Sequence, residues 1–148
     1  MPFLNRPALA VTAMTVAAAA ATFATPAMAT TPTTHPTSLN ARAVKADVAP
    51  NHHDTVVLTL RSGKTGLANE EMNFLVRSRR AVSGTHTWST WSSVTATPGT
   101  TAGRYRIQIT MTPSAHKGQK EQYQVKFTGD PTNKYAASRS QVFVVRAR

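Results

Sequence analysis

Hydrolytic chemistry needs a nucleophile beside a base, or two placed carboxylates. This chain offers little of either. It has no cysteine, and its six acids are Asp47, Asp54, Glu70, Glu71, Glu121 and Asp130. Glu70-Glu71 precedes a strand and alternates faces. Asp130 lies in a turn, where an aspartate commonly caps its own backbone. The serines and threonines follow no nucleophile-elbow pattern. No catalytic residue is assigned, and no enzyme is expected. His52-His53-Asp54 offers imidazole and carboxylate, which are ordinary metal ligands. Adjacent strand residues point to opposite faces, so His52 and His53 rarely share an ion. The trio reads instead as a solvent-exposed turn. His35, His86 and His116 are scattered on polar segments. No metal or cofactor site is expected.

The cations are the stronger signal. Lys+Arg number 17 against 6 acids, for a formal net charge of +11. Such an excess attracts polyanions. The candidate contacts are Arg61, Arg77, Arg79, Arg80, Arg104, Arg106, Lys126 and Arg146. Arg104 and Arg106 are two apart on one strand, so they share a face. Arg77, Arg79 and Arg80 cluster at the end of another strand. Arg77, Lys126, Arg139 and Arg146 are candidates for a second patch. Neither a nucleic-acid motif nor the strand-borne aromatic pair of RNA-binding sheets is present, so nucleic acid is not the expected partner. Trp88 and Trp91 are candidate contacts for a glycan or a protein. Three apart on a regular strand, they would face opposite sides, one in the core. A bulge or break in the Ser/Thr-rich surroundings would change that.

These residues need elements to hold them. Met1–Ala29 reads as a secretory signal peptide: Arg6, an uncharged run from Ala8 to Ala21, then Pro26-Ala27-Met28-Ala29 as a small-residue cleavage pattern. The run is short and rich in alanine for a membrane span, which needs about 20 strongly apolar residues. No span is expected after cleavage, and the product is expected to be secreted. Residues 30–38 form a Thr/Pro linker, expected to be extended and mobile.

Residues 39–148 carry short alternating strands between turn signals, which predicts an all-β sandwich or barrel. Asn40–Val48 reads as a strand with Val44, Ala46 and Val48 on one face. Thr55–Arg61 puts Val56, Leu58 and Leu60 inward. Glu71–Arg77 puts Met72, Phe74 and Val76 inward, and Arg79–Gly84 turns. Arg104–Thr112 buries Tyr105, Ile107, Ile109 and Met111. In the closing hairpin Tyr123, Val125 and Phe127 alternate with polar residues, and Val142 and Val144 form the last strand. Phe74, Tyr105, Ile107, Tyr123, Val125, Phe127 and one tryptophan are the expected core. With no disulfide available, packing alone must hold it.

Three segments carry a resemblance. They are Met72-Asn73-Phe74-Leu75-Val76, Ala102-Gly103-Arg104-Tyr105-Arg106-Ile107, and Tyr123-x-Val125-x-Phe127-x-Gly129-Asp130 followed by Tyr135-Ala136-Ala137-Ser138-x-Ser140. From about Ala43 to Val145 the chain resembles the bacterial immunoglobulin-like domains of secreted and surface proteins, especially those of actinobacteria. The resemblance implies an immunoglobulin-like β-sandwich of about seven antiparallel strands. In that order the Thr55–Arg61 strand joins the sheet of Arg104 and Arg106 and brings Arg61 near them. Domains of this kind act as spacers, adhesion modules and accessory domains. The expected function is a secreted, non-catalytic binding module held to anionic cell-wall polymers or acidic glycans by its charge. The alternative is a structural or protein–protein interaction module.

Overall fold

The computed structural model describes residues 34–80 and 87–148. The expected signal peptide and residues 30–33 lie outside the described residues, as do residues 81–84 of the expected Arg79–Gly84 turn and residues 85–86 after it. In chain order the strands are β1 (Ser38–Ala43), β2 (Asp47–Val48), β3 (His53–Ser62), β4 (Thr65–Gly66), β5 (Phe74–Arg80), β6 (Ser92–Val94), β7 (Thr97–Pro98), β8 (Arg104–Thr110), β9 (Lys120–Phe127), β10 (Ser138–Arg139) and β11 (Phe143–Ala147). One sheet has the order β1-β3-β8-β7, with β4 paired to β3. The other has the order β2-β11-β9-β5-β6, with β10 paired to β9. The pairings are antiparallel except that β2 runs parallel to β11. Lettered A to G, the sheets read ABED (β1, β3, β8, β7) and GFC (β11, β9, β5), the order of an immunoglobulin-like sandwich.

Alternation builds the inner faces as the sequence predicts. Val56, Leu58 and Leu60 of β3, Tyr105, Ile107 and Ile109 of β8, and Tyr123, Val125 and Phe127 of β9 are all buried. Phe74 joins the sheets. Its ring lies 5.9 Å from Phe127 on the neighbouring strand and 5.2 Å from Tyr105 on the opposite sheet. The Tyr105 hydroxyl donates to the Leu67 carbonyl at 2.6 Å and accepts from the Glu70 N–H at 3.2 Å. It thereby fastens the chain entering β5. Gly103 is needed at its position. It has φ +79°, and a Cβ there would overlap the Leu60 carbonyl oxygen and the Gly66 Cα.

Several expectations are corrected. The Asn40–Val48 strand is two strands in different sheets. The chain leaves the first at Val44 and joins the second at Asp47, so Val44 and Ala46 are exposed and Val48 alone turns inward. Met72 is 75% exposed, because residues 70–73 turn, with Asn73 N–H donating to the Glu70 carbonyl, before β5 begins at Phe74. Arg79 and Arg80 belong to β5 rather than to a turn. Val142 lies just outside the last strand, and it and Val144 are 41% and 44% exposed. Val145 and Ala147 are the buried residues of β11, and Phe143 packs on the core from its edge. Neither tryptophan is in the core. Part of the expected mobile linker is docked. His35 N–H donates to the Lys134 carbonyl, Ala136 N–H to the His35 carbonyl, and the Thr37 hydroxyl to the Ala136 carbonyl.

The core assignment has a direct check. Phe127→Ala is expected to cost about 3–5 kcal/mol in urea unfolding, whereas Val144→Ala, on the outer face, should stay within about 0.5 kcal/mol. An unchanged midpoint for Phe127→Ala would place the inter-sheet core elsewhere.

Candidate functional site

The two outer faces carry the cations in different ways. On the β1-β3-β8 face, register aligns Arg42 with Val57 and Val57 with Arg106. The next row is Asn40, Thr59 and Arg104, and the row after it pairs Ser38 with Arg61. Arg42, Arg61, Arg104 and Arg106 are exposed. Residues two apart on a strand are separated by about 7 Å, and neighbouring strands by about 4.8 Å. Each of these charges therefore stands about one Debye length from its nearest neighbour in the set at physiological salt. A groove of about 600 Å³ beside Arg106 is lined by Thr55, Val94, Thr97 and Gln108 among others.

On the other sheet, alternation sends Phe74 inward and Arg77 and Arg79 outward. Directly across on β9 stand Gln124 and Gln122. Arg77 donates through Nε (3.2 Å) and Nη2 (2.7 Å) to Gln124 Oε1. Arg79 Nε donates to Gln122 Oε1 at 2.6 Å. Gln124 Nε2 in turn donates to the Ser140 carbonyl at 3.0 Å. The segment carrying the tryptophans runs beside β5 without being a regular strand. Ser89 N–H donates to the Ser78 carbonyl (2.8 Å), and Ser78 N–H donates to Ser89 Oγ (3.0 Å). This is the break in alternation that the sequence allows, and it brings both indoles to the arginines.

Arg77 Cζ lies 4.5 Å from the ring centroids of both Trp88 and Trp91. Arg79 Cζ is 4.4 Å from Trp88, and Arg139 Cζ is 5.7 Å from Trp91. The result is an alternating series, Arg79–Trp88–Arg77–Trp91–Arg139. Each contact places a cation on a π face, worth about 0.5–1 kcal/mol at exposed sites and more where desolvated. Burial, then the positive charges of Arg139 and Arg79, lower the pKa of Arg77 from its ordinary value. Each indole is engaged by two guanidiniums.

The remaining candidates make no contact with the indoles. Lys126 is opposite both Leu75 and Arg139 in register. Arg80 donates to Ser114 Oγ, away from the series. Arg146 pairs in register with Lys120 and lies 4.0 Å from Asp47, the single ion pair among the described residues.

The acids hold structure. Asp54 is buried on β3 and not in an exposed turn. Its carboxylate accepts from the Lys45 N–H at 3.2 Å and the Thr55 N–H at 2.7 Å, clamping the chain where it crosses between sheets. The histidines beside it diverge: His52 Nδ1 is 2.9 Å from the Pro50 carbonyl, and His53 Nδ1 is 2.8 Å from the Thr110 hydroxyl. Among the described residues no three His, Asp or Glu side chains gather to hold a metal. Asp130 caps its own turn, accepting from the Thr132 N–H at 2.8 Å. Its bonds to Asn133 and Thr132 keep its pKa below the ordinary value. Glu121 is buried and accepts from the Tyr123 hydroxyl at 2.6 Å. Burial, and then Glu121, push the tyrosine pKa upward. The sequence shows these acids but not their burial, because a buried carboxylate has no local signature. No protein-family model and no curated protein matches the chain.

Glu70 carries a pH dependence. It is buried, its Oε2 accepts from Asn73 Nδ2 at 2.7 Å, and burial raises its pKa above 4.5, with Asp130 adding to the rise. The folded chain thus holds this proton more tightly than the unfolded chain. The contribution is complete below the unfolded value and is lost as pH rises through the folded one. The melting temperature of wild type should therefore fall, relative to that of Glu70→Gln, as pH increases from about 4 toward 7. Parallel melting curves across that range would remove Glu70 as the cause.

Proposed function

We propose that the protein is a secreted, non-catalytic, immunoglobulin-like module that binds anionic polymers or acidic glycans of the cell envelope through its basic surface. The observation that carries this reading is the separation of charge. Arginines occupy the outer faces of both sheets, while Asp54, Glu70 and Glu121 are buried. The surface cations consequently face solvent with few anions among them. Fixed charges at these spacings reinforce one another and attract polyanions in a salt-dependent way. The resemblance to bacterial immunoglobulin-like domains and the export signal favour an envelope ligand over nucleic acid. Among the described residues, no helix is long and apolar enough to cross a membrane.

A second reading, a structural or protein-interaction module, has its own support in the exposed Val144 on the outer face of β11 and the exposed Val142 just before that strand. Apolar residues exposed together suit a protein contact.

The two readings separate on purified Gram-positive cell walls. Wall retention of the purified protein should be lost at about 1 M salt, where the screening length is about 3 Å, and should also be lost on walls stripped of anionic polymer. Retention that survives both treatments would favour the protein-contact reading. Absence of retention at low salt would end the envelope-polymer reading.

A further inference from the structure

We propose that the outer face of β1, β3 and β8 is a receptor for an acidic polysaccharide laid along β3, its anions met by Arg42, Arg61, Arg104 and Arg106. The proposal rests on the polyanion reading above and assigns it to one face and one kind of polymer.

The state of the arginines singles out this face. Among the described residues, no hydrogen bond, ion pair or ring contact engages Arg42, Arg61, Arg104 or Arg106. On the other sheet Arg77 is committed to Gln124 and two indoles, Arg139 to Trp91, Arg80 to Ser114 and Arg146 to Asp47. A guanidinium carries five N–H donors, and the four on the β1-β3-β8 face keep all of theirs for a ligand. No acid of the chain claims them. All six acids lie among the described residues. Asp54, Glu70 and Glu121 are buried, Asp47 stands beside Arg146, and Asp130 caps its own turn. Glu71 shares a depression with Arg104 but forms no ion pair with it.

The ground between the cations points to the polymer. β3 presents Thr55, Val57, Thr59 and Arg61 outward in turn, a track of about 20 Å at the usual rise of a strand. At one end Thr55, Gln108 and Arg106 line the groove of about 600 Å³. At the other, Ser38, Asn40, Thr59 and Arg61 line a second groove of about 420 Å³. Each groove sets an arginine beside hydroxyl and amide side chains, which both donate to and accept from sugar hydroxyls. Val57 between them offers an aliphatic surface to the C–H face of a sugar ring. Groups fixed on a sheet are best matched by a ligand that is already stiff, because a flexible chain loses more freedom on binding. Linked rings therefore suit the track better than a flexible polyol phosphate. The outward residues of these three strands include no Trp, Tyr or Phe. Single-stranded nucleic acid and the centre of a protein contact both favour such aromatic anchors.

The test uses the purified protein and calorimetry with polygalacturonate and poly(glycerol phosphate) at matched anion concentration. Arg61→Gln and Arg106→Gln should each weaken polygalacturonate binding about tenfold, the loss expected for one charge-assisted contact. Thr59→Val removes a hydroxyl and no charge, and should weaken it about threefold. Arg139→Gln makes the same change in net charge on the other sheet, and should stay within about twofold of wild type. Affinity should rise with the length of an oligogalacturonide until the chain spans both grooves. Melting curves accompany every variant, and Arg104→Gln replaces either glutamine variant that fails to fold. Equal loss with Arg139→Gln, or no loss with Arg61→Gln and Arg106→Gln, would overturn the face and leave the polyanion reading standing. Binding unchanged by Thr59→Val, or poly(glycerol phosphate) bound as tightly as polygalacturonate, would overturn the polysaccharide. Galacturonate monomer bound as tightly as the polymer would overturn the track. Failure of wild type to bind either polyanion would overturn the polyanion reading itself.

Discussion

The contact of Phe74 with Tyr105 and Phe127 is the point on which the rest of the molecule depends. It is where the two sheets meet, and it fixes which residues of β5 face outward. With Phe74 inward, Arg77 and Arg79 must project to solvent opposite Gln124 and Gln122. With Tyr105 inward on β8, Arg104 and Arg106 must project on the other side. A register slip of one residue would send these arginines into an apolar interior. The core therefore sets the charged surface as well as the stability, and with no cysteine in the chain no cross-link shares that task.

The placement of acids shows a second constraint. A chain with 17 cations and 6 acids could have used its few carboxylates to quench surface repulsion. It uses most of them for architecture instead. Asp54 clamps the crossover between sheets, Glu121 meets Tyr123, and Asp130 shapes the turn before β10. Burying a carboxylate is costly unless it is hydrogen-bonded; Asp54 and Glu121 both accept bonds, and Glu121 Oε1 alone is left without a partner among the described residues. The surface is left with cations close to one another, and aromatic rings, not carboxylates, hold the densest of them.

Legibility followed physics residue by residue. Strands β3, β8 and β9 were readable because each buries one face, so period-two alternation shows plainly from Val56 to Leu60, from Tyr105 to Ile109 and from Tyr123 to Phe127. Asn40–Val48 was misread as one strand because alternation cannot show a switch between sheets, and Asp54, which makes that switch possible, lies beyond it. Met72 looked like a core residue on pattern alone. The turn at residues 70–73 that exposes it depends on Glu70, whose backbone is held by Tyr105, 35 residues away. The facing of the last strand does not show in its sequence, because Val144 and Val145 are alike and the pairing of Phe143 with Tyr123 decides which of them turns inward. The sheet order puts Arg61 on the strand next to Arg104 and Arg106, one row beyond Arg104 and two from Arg106.

The tryptophans mark the limit of reading by period. Their spacing is wrong for a strand, and burial statistics pull indoles toward the core. What overrides both is charge. Arg77 and Arg79 stand outside because Phe74 stands inside, and Gln124 and Gln122 accept hydrogen bonds from them without carrying a countercharge. The indole faces supply a further partner, again without cancelling the charge. Ser89 then ties the segment to Ser78 through two hydrogen bonds, so the rings are held by backbone as well as by cations. Cation–π stacking thus resolves a conflict that the composition creates. It orders a strongly basic face on a sandwich with few acids to spare, and it does so while leaving the face basic.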